Sequence, residues 1–257
     1  VITGMEIEKK ARIVEETLFH NLGGKEQFAT TDVQLIRIDK DDPQHNDQAC
    51  AHLKISLMDP DQNKVGKKFS STLIGMALST IPGFTLTTPP ANGTPSLQHW
   101  PTLVSNKFIE QRICVGDNEF LVTPTKAYPD VTIEPVTVQT IDLGSQPTKE
   151  IYFGQIFATR SGDKGGNANL GVWAKTIEAY SFLNEFLSVD TLKELLPDMA
   201  AFEIEKYDLP NLFAVNFYIK GLLGEGVAAS FRNDPQAKTL GEYLRAKKIH
   251  VPKSLVP

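Results

Sequence analysis

Ile151-Tyr152-Phe153-Gly154-Gln155-Ile156-Phe157-Ala158-Thr159-Arg160-Ser161-Gly162-Asp163-Lys164-Gly165-Gly166-Asn167-Ala168-Asn169-Leu170-Gly171-Val172-Trp173-Ala174 is the stretch on which the reading of this chain turns. Its first part, Ile151 to Ala158, is rich in aromatic and β-branched residues and reads as a strand. Leu170 to Ala174 reads as another. Between them lies a polar loop with one Arg, one Lys, one Asp, one Ser, two Asn and a set of glycines. Glycine lets a backbone take positive φ and turn its N–H groups toward a guest. Arg160, Ser161, Gly165, Gly166, Asn167 and Asn169 are therefore candidate ligand-binding residues, and Asp163 with Lys164 is the candidate catalytic acid/base pair. Against this stands a plainer reading, in which the Asp and Asn side chains bond their own backbone in a long hairpin connection.

A second segment has the same grammar. Asn216-Phe217-Tyr218-Ile219-Lys220-Gly221-Leu222-Leu223-Gly224-Glu225-Gly226-Val227-Ala228-Ala229-Ser230 ends an apolar strand in glycines, and Arg232-Asn233-Asp234-Pro235-Gln236-Ala237-Lys238 follows. No Gly-Lys-Ser/Thr follows the glycines, so this is not a P-loop, and no βαβ unit with a downstream acidic residue supports a dinucleotide fingerprint. A helix starting near Gly226 would offer free N–H groups to an anion. Gly224, Gly226, Ser230 and Arg232 join the ligand-binding candidates on that basis, with backbone packing the alternative for the glycines and an Arg232–Asp234 ion pair the alternative for the arginine.

Together the two motifs, separate and in this order, resemble the acyclic terpene utilisation protein AtuA family. The resemblance is strongest over the C-terminal part, where the family has a small α+β domain described as ferredoxin-like. It is weaker in the opening helix and around His99-Trp100-Pro101. It implies a role in bacterial acyl-CoA metabolism near the degradation of acyclic terpenoids such as citronellol and geraniol, with a CoA thioester as substrate or ligand and no other cofactor. The chain starts at Val1, not Met, and reads as a piece of a longer protein lacking the family's large N-terminal α/β portion. That missing part and further copies of the chain, as a homo-oligomer, are the expected partners beside a small anionic metabolite.

Composition bounds the rest. With 257 residues the chain can bury one large core or two small ones. A formal charge of −5 and no basic stripe give no invitation to nucleic acid or to an anionic membrane. No apolar run has the length of a membrane helix. Cys50 and Cys114 lie far apart without CxxC spacing, which argues against a disulfide framework or zinc and for buried thiols in a cytoplasmic protein.

Read in order, Ile7, Ala11, Val14, Leu18 and Leu22 recur at helical spacing, closed by Gly23-Gly24. Val33–Ile38 and Ala49–Met58 read as strands around a solvated acidic loop, and Lys67–Ile81 as a helix ended by Pro82-Gly83. His99-Trp100 sits in a proline-rich stretch, either lining a pocket or anchoring the loop. Phe108–Val115 and Glu119–Thr123 flank a Gly116-Asp117-Asn118 turn, a credible hairpin. Val131–Val138 is a short β-like run, and Ile141–Lys149 reads as a linker, which divides the chain into residues 1–146 and 147–257. Beyond the polar stretch come a helix over Ile177–Leu187, a second over Thr191–Leu196 with Asp190 as N-cap, strands around Asp208-Leu209-Pro210-Asn211, and a helix over Thr239–Ile249. The expected fold class is α+β: two domains, each a mostly antiparallel sheet covered by helices, the second like the ferredoxin-like domain of the family.

No nucleophilic triad assembles, since Ser161 lacks a G-x-S-x-G elbow and only His99 or His52 offers a base. No His, Asp or Glu spacing argues for a metal; Asp163, Asn167 and Asn169 form the one plausible oxygen set. Three readings remain: an enzyme acting on an acyl-CoA, a module that binds an anionic metabolite, and an oligomerising or scaffolding half of a larger enzyme.

Overall fold

The computed structural model describes residues 1–88, 90–98, 100–123, 134, 136–138 and 140–256. His99, and half of the β-like run at 131–138, lie outside them. The chain divides into two compact units, Val1–Ser96 and Leu97–Pro257. The fold is α+β, with antiparallel sheets in both units.

The first unit runs β1 (Ile2–Thr3), α1 (Ile7–Leu22), β2 (Thr30–Arg37), β3 (Cys50–Met58), the short α2 (Gln62–Val65) and α3 (Lys67–Met76). Helix α1 buries Ile7, Ala11, Val14, Leu18 and Leu22, the residues its periodicity marks. Gly23 ends it at φ 94, and the N–H groups of Gly23 and Gly24 bond the carbonyls of His20 and Phe19. The strands order β1-β3-β2. In register, Val33 faces Ile55 and Leu35 faces Leu53, and these apolar side chains join the cluster built by α1. Helix α3 stops at Met76, short of the expected Ile81. Ala77 N–H bonds the Ile74 carbonyl instead, and the chain turns through Gly83, whose carbonyl accepts from Thr3 N–H at 2.8 Å. A Cβ at Gly83 would lie 2.3 Å from the Thr3 carbonyl oxygen, so only glycine lets this segment close on β1.

The second unit opens with the hairpin β4 (Gln111–Val115) and β5 (Asn118–Val122), turned at Gly116 with φ 58. There follow β6 (Thr148–Tyr152), β7 (Ala158–Lys164), β8 (Asn167–Trp173), α4 (Ile177–Phe186), α5 (Val189–Leu195), β9 (Ile204–Leu209), β10 (Ala214–Ile219), α6 (Leu240–Arg245) and β11 (Lys248–Pro252). Four strands order β7-β8-β10-β9, while β6 pairs with β11. Because β10 lies antiparallel to both β8 and β9, those two strands are parallel to each other and joined by α4 and α5. This is a split βαβ unit, the core of ferredoxin-like architecture. Here the place beside β8 is taken by the strand that precedes it, β7.

Several expectations are corrected. The polar stretch is not a loop between strands: its residues are the strands β7 and β8, and Gly165-Gly166 alone makes the turn. The expected strand over Ile151–Ala158 breaks at Phe153, where the chain makes a short 3-10 turn and buries Phe153 and Phe157. Ser188, not Asp190, caps α5, its Oγ accepting from Thr191 N–H at 3.0 Å. The last helix ends at Arg245, and Ile249 and Val251 turn inward on a strand that the helical reading missed. Cys50 is buried, whereas Cys114 is exposed on a hairpin that encloses no core of its own. At the start of the stretch read as a linker, Ile141 N–H donates to Ser181 Oγ on α4 at 2.8 Å. No described helix is long and apolar enough to cross a membrane.

Helix α6 sits on β7 through a glycine. Gly241 N–H donates to Ser161 Oγ at 2.9 Å, and a Cβ at Gly241 would come within 3.0 Å of Thr159 Cβ and 2.6 Å of its Oγ1. Thr159 is β-branched and stiff, so it yields little. Gly241→Ala is expected to lower stability by ~1–3 kcal/mol, measured by urea unfolding. The double variant with Thr159→Ala is expected to recover most of that loss, and additive losses would show that the contact is not the cause.

Candidate functional site

Strands have period two, so β8 and β10 sort their residues onto two faces. Ala168, Leu170 and Val172 on β8, and Val215, Phe217 and Ile219 on β10, are fully buried on the inner face. The outer face is polar and aromatic. Its rows follow from the register: Arg160 opposite Gly171, opposite Asn216, opposite Tyr207; then Gly162 opposite Asn169, opposite Tyr218, opposite Glu205. Trp173 and Tyr207 on this face are 38% and 51% exposed.

Two glycines leave this face without side chains at two positions. A Cβ at Gly171 would stand 3.5 Å from the Arg160 carbonyl oxygen and 3.8 Å from Asn216 Oδ1, and one at Gly162 would stand 4.0 Å from Asn169 Oδ1. Neither glycine has a positive φ or a clash that demands it. Their effect is to leave the backbone of β7 and β8 bare between polar side chains. Asn169 Nδ2 donates to Asn216 Oδ1 at 3.2 Å, which leaves the other half of each amide facing out. Arg160 is exposed and has no carboxylate partner among the described residues.

The remaining candidates are placed differently. Asp163 and Lys164 are neighbours on one strand and so take opposite faces; Lys164 Nζ reaches the Asp163 carbonyl oxygen at 2.9 Å. Asp163 thereby parts from Asn167 and Asn169, and the three do not gather as an oxygen-ligand set. Among the described residues no group of three or more His, Cys, Asp or Glu is assembled to hold a metal ion. Ser161 faces inward to Gly241. Asn167 is engaged at both ends of its amide: Oδ1 accepts from Gly221 N–H at 2.7 Å, and Nδ2 donates to Tyr218 Oη at 2.5 Å.

The two glycine motifs do meet, backbone against backbone. Gly165 takes φ 66 in the turn, and Gly166 accepts from Leu223 N–H at 2.9 Å. A Cβ at Gly166 would lie 2.2 Å from the Gly224 carbonyl oxygen. No helix begins at Gly226; its carbonyl is taken by the N–H groups of Ala229 and Ser230 in a turn. Ser230 Oγ accepts from Arg232 N–H, and Arg232 pairs with Asp198 at 2.9 Å rather than with Asp234. Asp234 instead receives the N–H groups of Lys238 and Thr239. Of the residues singled out in the sequence, Arg160, Lys164, Asn167 and Asn169 thus share the outer face. Asn216, Tyr218, Tyr207 and Trp173 complete it. Their signal was the two-residue spacing of Asn216 and Tyr218 inside an otherwise apolar strand.

One edge of the face is a charged cluster. Lys220 bonds both Glu203 and Glu205 at 2.7 Å, and the two carboxylates hold its ammonium well above the usual lysine range. Glu205 is lowered, by the Lys220 bond first and then by the Tyr207 hydroxyl at 2.5 Å. Tyr207 is raised, first by the hydrogen bond that its ionisation would remove and then by the charge of Glu205 that a phenolate would face. The linkage signs follow. Tyr207 stabilises the fold fully below an unfolded value of about 10, and that contribution is lost as pH rises through the higher folded value. The contribution of Glu205 is present above an unfolded value of about 4.3 and is lost as pH falls through its lower folded value. Glu205→Gln is expected to bring the ionisation of Tyr207 back toward that of a free tyrosine in an ultraviolet titration. An unmoved midpoint would mean that the bond does not persist in solution.

Comparison with known proteins covers both units. Residues 1–115 match the model of the acyclic terpene utilisation family protein AtuA, and residues 151–250 match that of the AtuA ferredoxin-like domain. Comparison with curated proteins and with solved structures gave no match. The two matches fall in sequence order along one chain, and the second covers the split βαβ sheet. The chain belongs to the acyclic terpene utilisation AtuA family.

Proposed function

We propose that this chain serves acyclic terpene utilisation by holding an anionic, acyl-CoA-type metabolite on the outer face of the β7-β8-β10-β9 sheet. Family membership supports the coarse role. The finer reading is carried by one observation: the free guanidinium of Arg160 lies in a single row with the bare backbone of Gly171 and the outward amide of Asn216. Guanidinium recognises phosphate and carboxylate oxygens through paired N–H donors. The amides of Asn169 and Asn216 supply both a donor and an acceptor, and the exposed rings of Trp173 and Tyr207 suit a planar group such as a nucleobase. Asp163 and Lys164, on opposite faces, have no common reacting atom, and the reading is one of binding.

Titration calorimetry with CoA tests it. Arg160→Ala is expected to weaken binding at least tenfold, since a charge-assisted hydrogen bond is worth ~1.5–3 kcal/mol. Gly171→Ala fits the fold and is expected to weaken binding by covering the bare backbone. Unchanged affinity in both variants would remove the site from this face.

A second reading, that the chain is also an oligomerising element, is favoured by the β4–β5 hairpin. Ile113 faces Phe120 across it, and these two with Val115 are more than half exposed. An isolated two-stranded hairpin is marginal in water, so this apolar face suits a second copy of the chain. Light scattering is expected to show an assembly that Ile113→Asp with Phe120→Asp reduces to a monomer. A monomeric parent chain would end this reading.

A further inference from the structure

The first unit contains a hollow of about 230 Å³ walled by apolar side chains. Leu53 and Ile55 of β3 form one wall, Phe69 and Leu73 of α3 a second, and Phe84 with Leu86 a third. Leu53, Ile55, Phe69, Leu73 and Phe84 pack against the core of the unit, yet all five stay half-buried. The inner residues of the β8–β10 sheet, by contrast, are fully buried. An apolar hollow of this kind forfeits the dispersion contacts that a filled core makes, and water does not repay them. At the rim stand two hydroxyl-bearing residues, Thr87 and Thr88.

We infer that this hollow binds the hydrocarbon chain of an amphipathic ligand, with its polar end at Thr87 and Thr88. A cavity of about 150 Å³ accepts a six-carbon ring, so this one takes a chain of about nine or ten carbons. No acidic or basic side chain lines it. Val1 also lines it, its terminal amino group donating to the Thr85 carbonyl at 2.8 Å, and the two threonine hydroxyls suit a chain-end group that exchanges hydrogen bonds with them, such as an alcohol or the carbonyl of an ester. A branched ten-carbon alcohol matches that volume and serves as the probe. The hollow lies wholly in the first unit, so the inference stands or falls apart from the sheet face of the second.

Thermal unfolding of the full chain with geraniol as the probe tests it. Saturating geraniol is expected to raise the midpoint by ~3 °C, and n-butanol at the same concentration is expected to leave it within ~1 °C. Leu73→Trp fills the hollow and is expected to abolish the geraniol shift while keeping the ligand-free midpoint. Ile55→Phe, a smaller filling from the opposite wall, is expected to do the same and replaces it should the tryptophan variant fail to fold. Arg160→Ala is expected to leave the geraniol shift intact whatever it does to CoA binding. A full geraniol shift in a folded filled variant, no shift in the parent chain, or a shift lost on Arg160→Ala would each overturn the inference.

Discussion

The alternation along β8 is the constraint on which the second unit depends. Ala168, Leu170 and Val172 point into the core, and Asn167, Asn169 and Gly171 point away from it. A slip of one residue would bury two amides and expose three apolar side chains, which fixes the register to β7 and β10. That register in turn sets Arg160 against Gly171 and Asn216. The same alternation therefore builds the core and composes the outer face, and neither can be altered without the other.

The glycines divide into two kinds by the same logic. Gly166 and Gly241 have neighbours that leave no room for a methyl group: the Gly224 carbonyl in one case, Thr159 in the other. They are required for packing, because they let the hairpin turn dock on the second glycine motif and α6 lie on β7. Gly162 and Gly171 have room for a side chain and lack one. A sheet position where a β-branched residue would strengthen cross-strand pairing is instead left bare. That is a cost to the sheet which packing does not explain, and it leaves the backbone accessible from outside.

This distinction also marks how far the sequence could be read. The helices and most strands were legible because their apolar residues recur at 3.6 or 2: Ile7 to Leu22 for α1, and the run into Ile219 for β10. The family was legible from its two motifs. The polar stretch was misread as a loop because Arg160 to Lys164 lacks buried apolar residues on either face. Strand β7 lies at an edge, and its inward positions are the small or polar Thr159, Ser161 and Asp163 that α6 and the strand end accommodate. Strand β11 was absorbed into a helix because Leu240, Tyr243 and Leu244 keep helical spacing until Arg245; its pairing with β6, nearly a hundred residues away in sequence, has no local signal. Asn216 and Tyr218 were visible as letters of a motif but became face residues only when the register placed them beside Asn169.

Charge shows why Arg160 stands apart on that face. Lys220, at the β9 edge of the face, is held by Glu203 and Glu205. Exposed pairs of this kind add little stability, so the fold would lose almost nothing if the lysine were free. What they do is neutralise the β9 side of the face. Arg160, across the sheet on β7, has no carboxylate partner among the described residues, and Lys164, further along the same face, reaches only the Asp163 carbonyl oxygen. The face therefore has a polarity, with a cation beside bare backbone at one edge and a closed ion network at the other. An anionic guest meets attraction from Arg160 and no free positive charge at Lys220 to draw it away. The direction in which such a guest would lie across β7 and β8 follows from that asymmetry and from nothing else in the sheet.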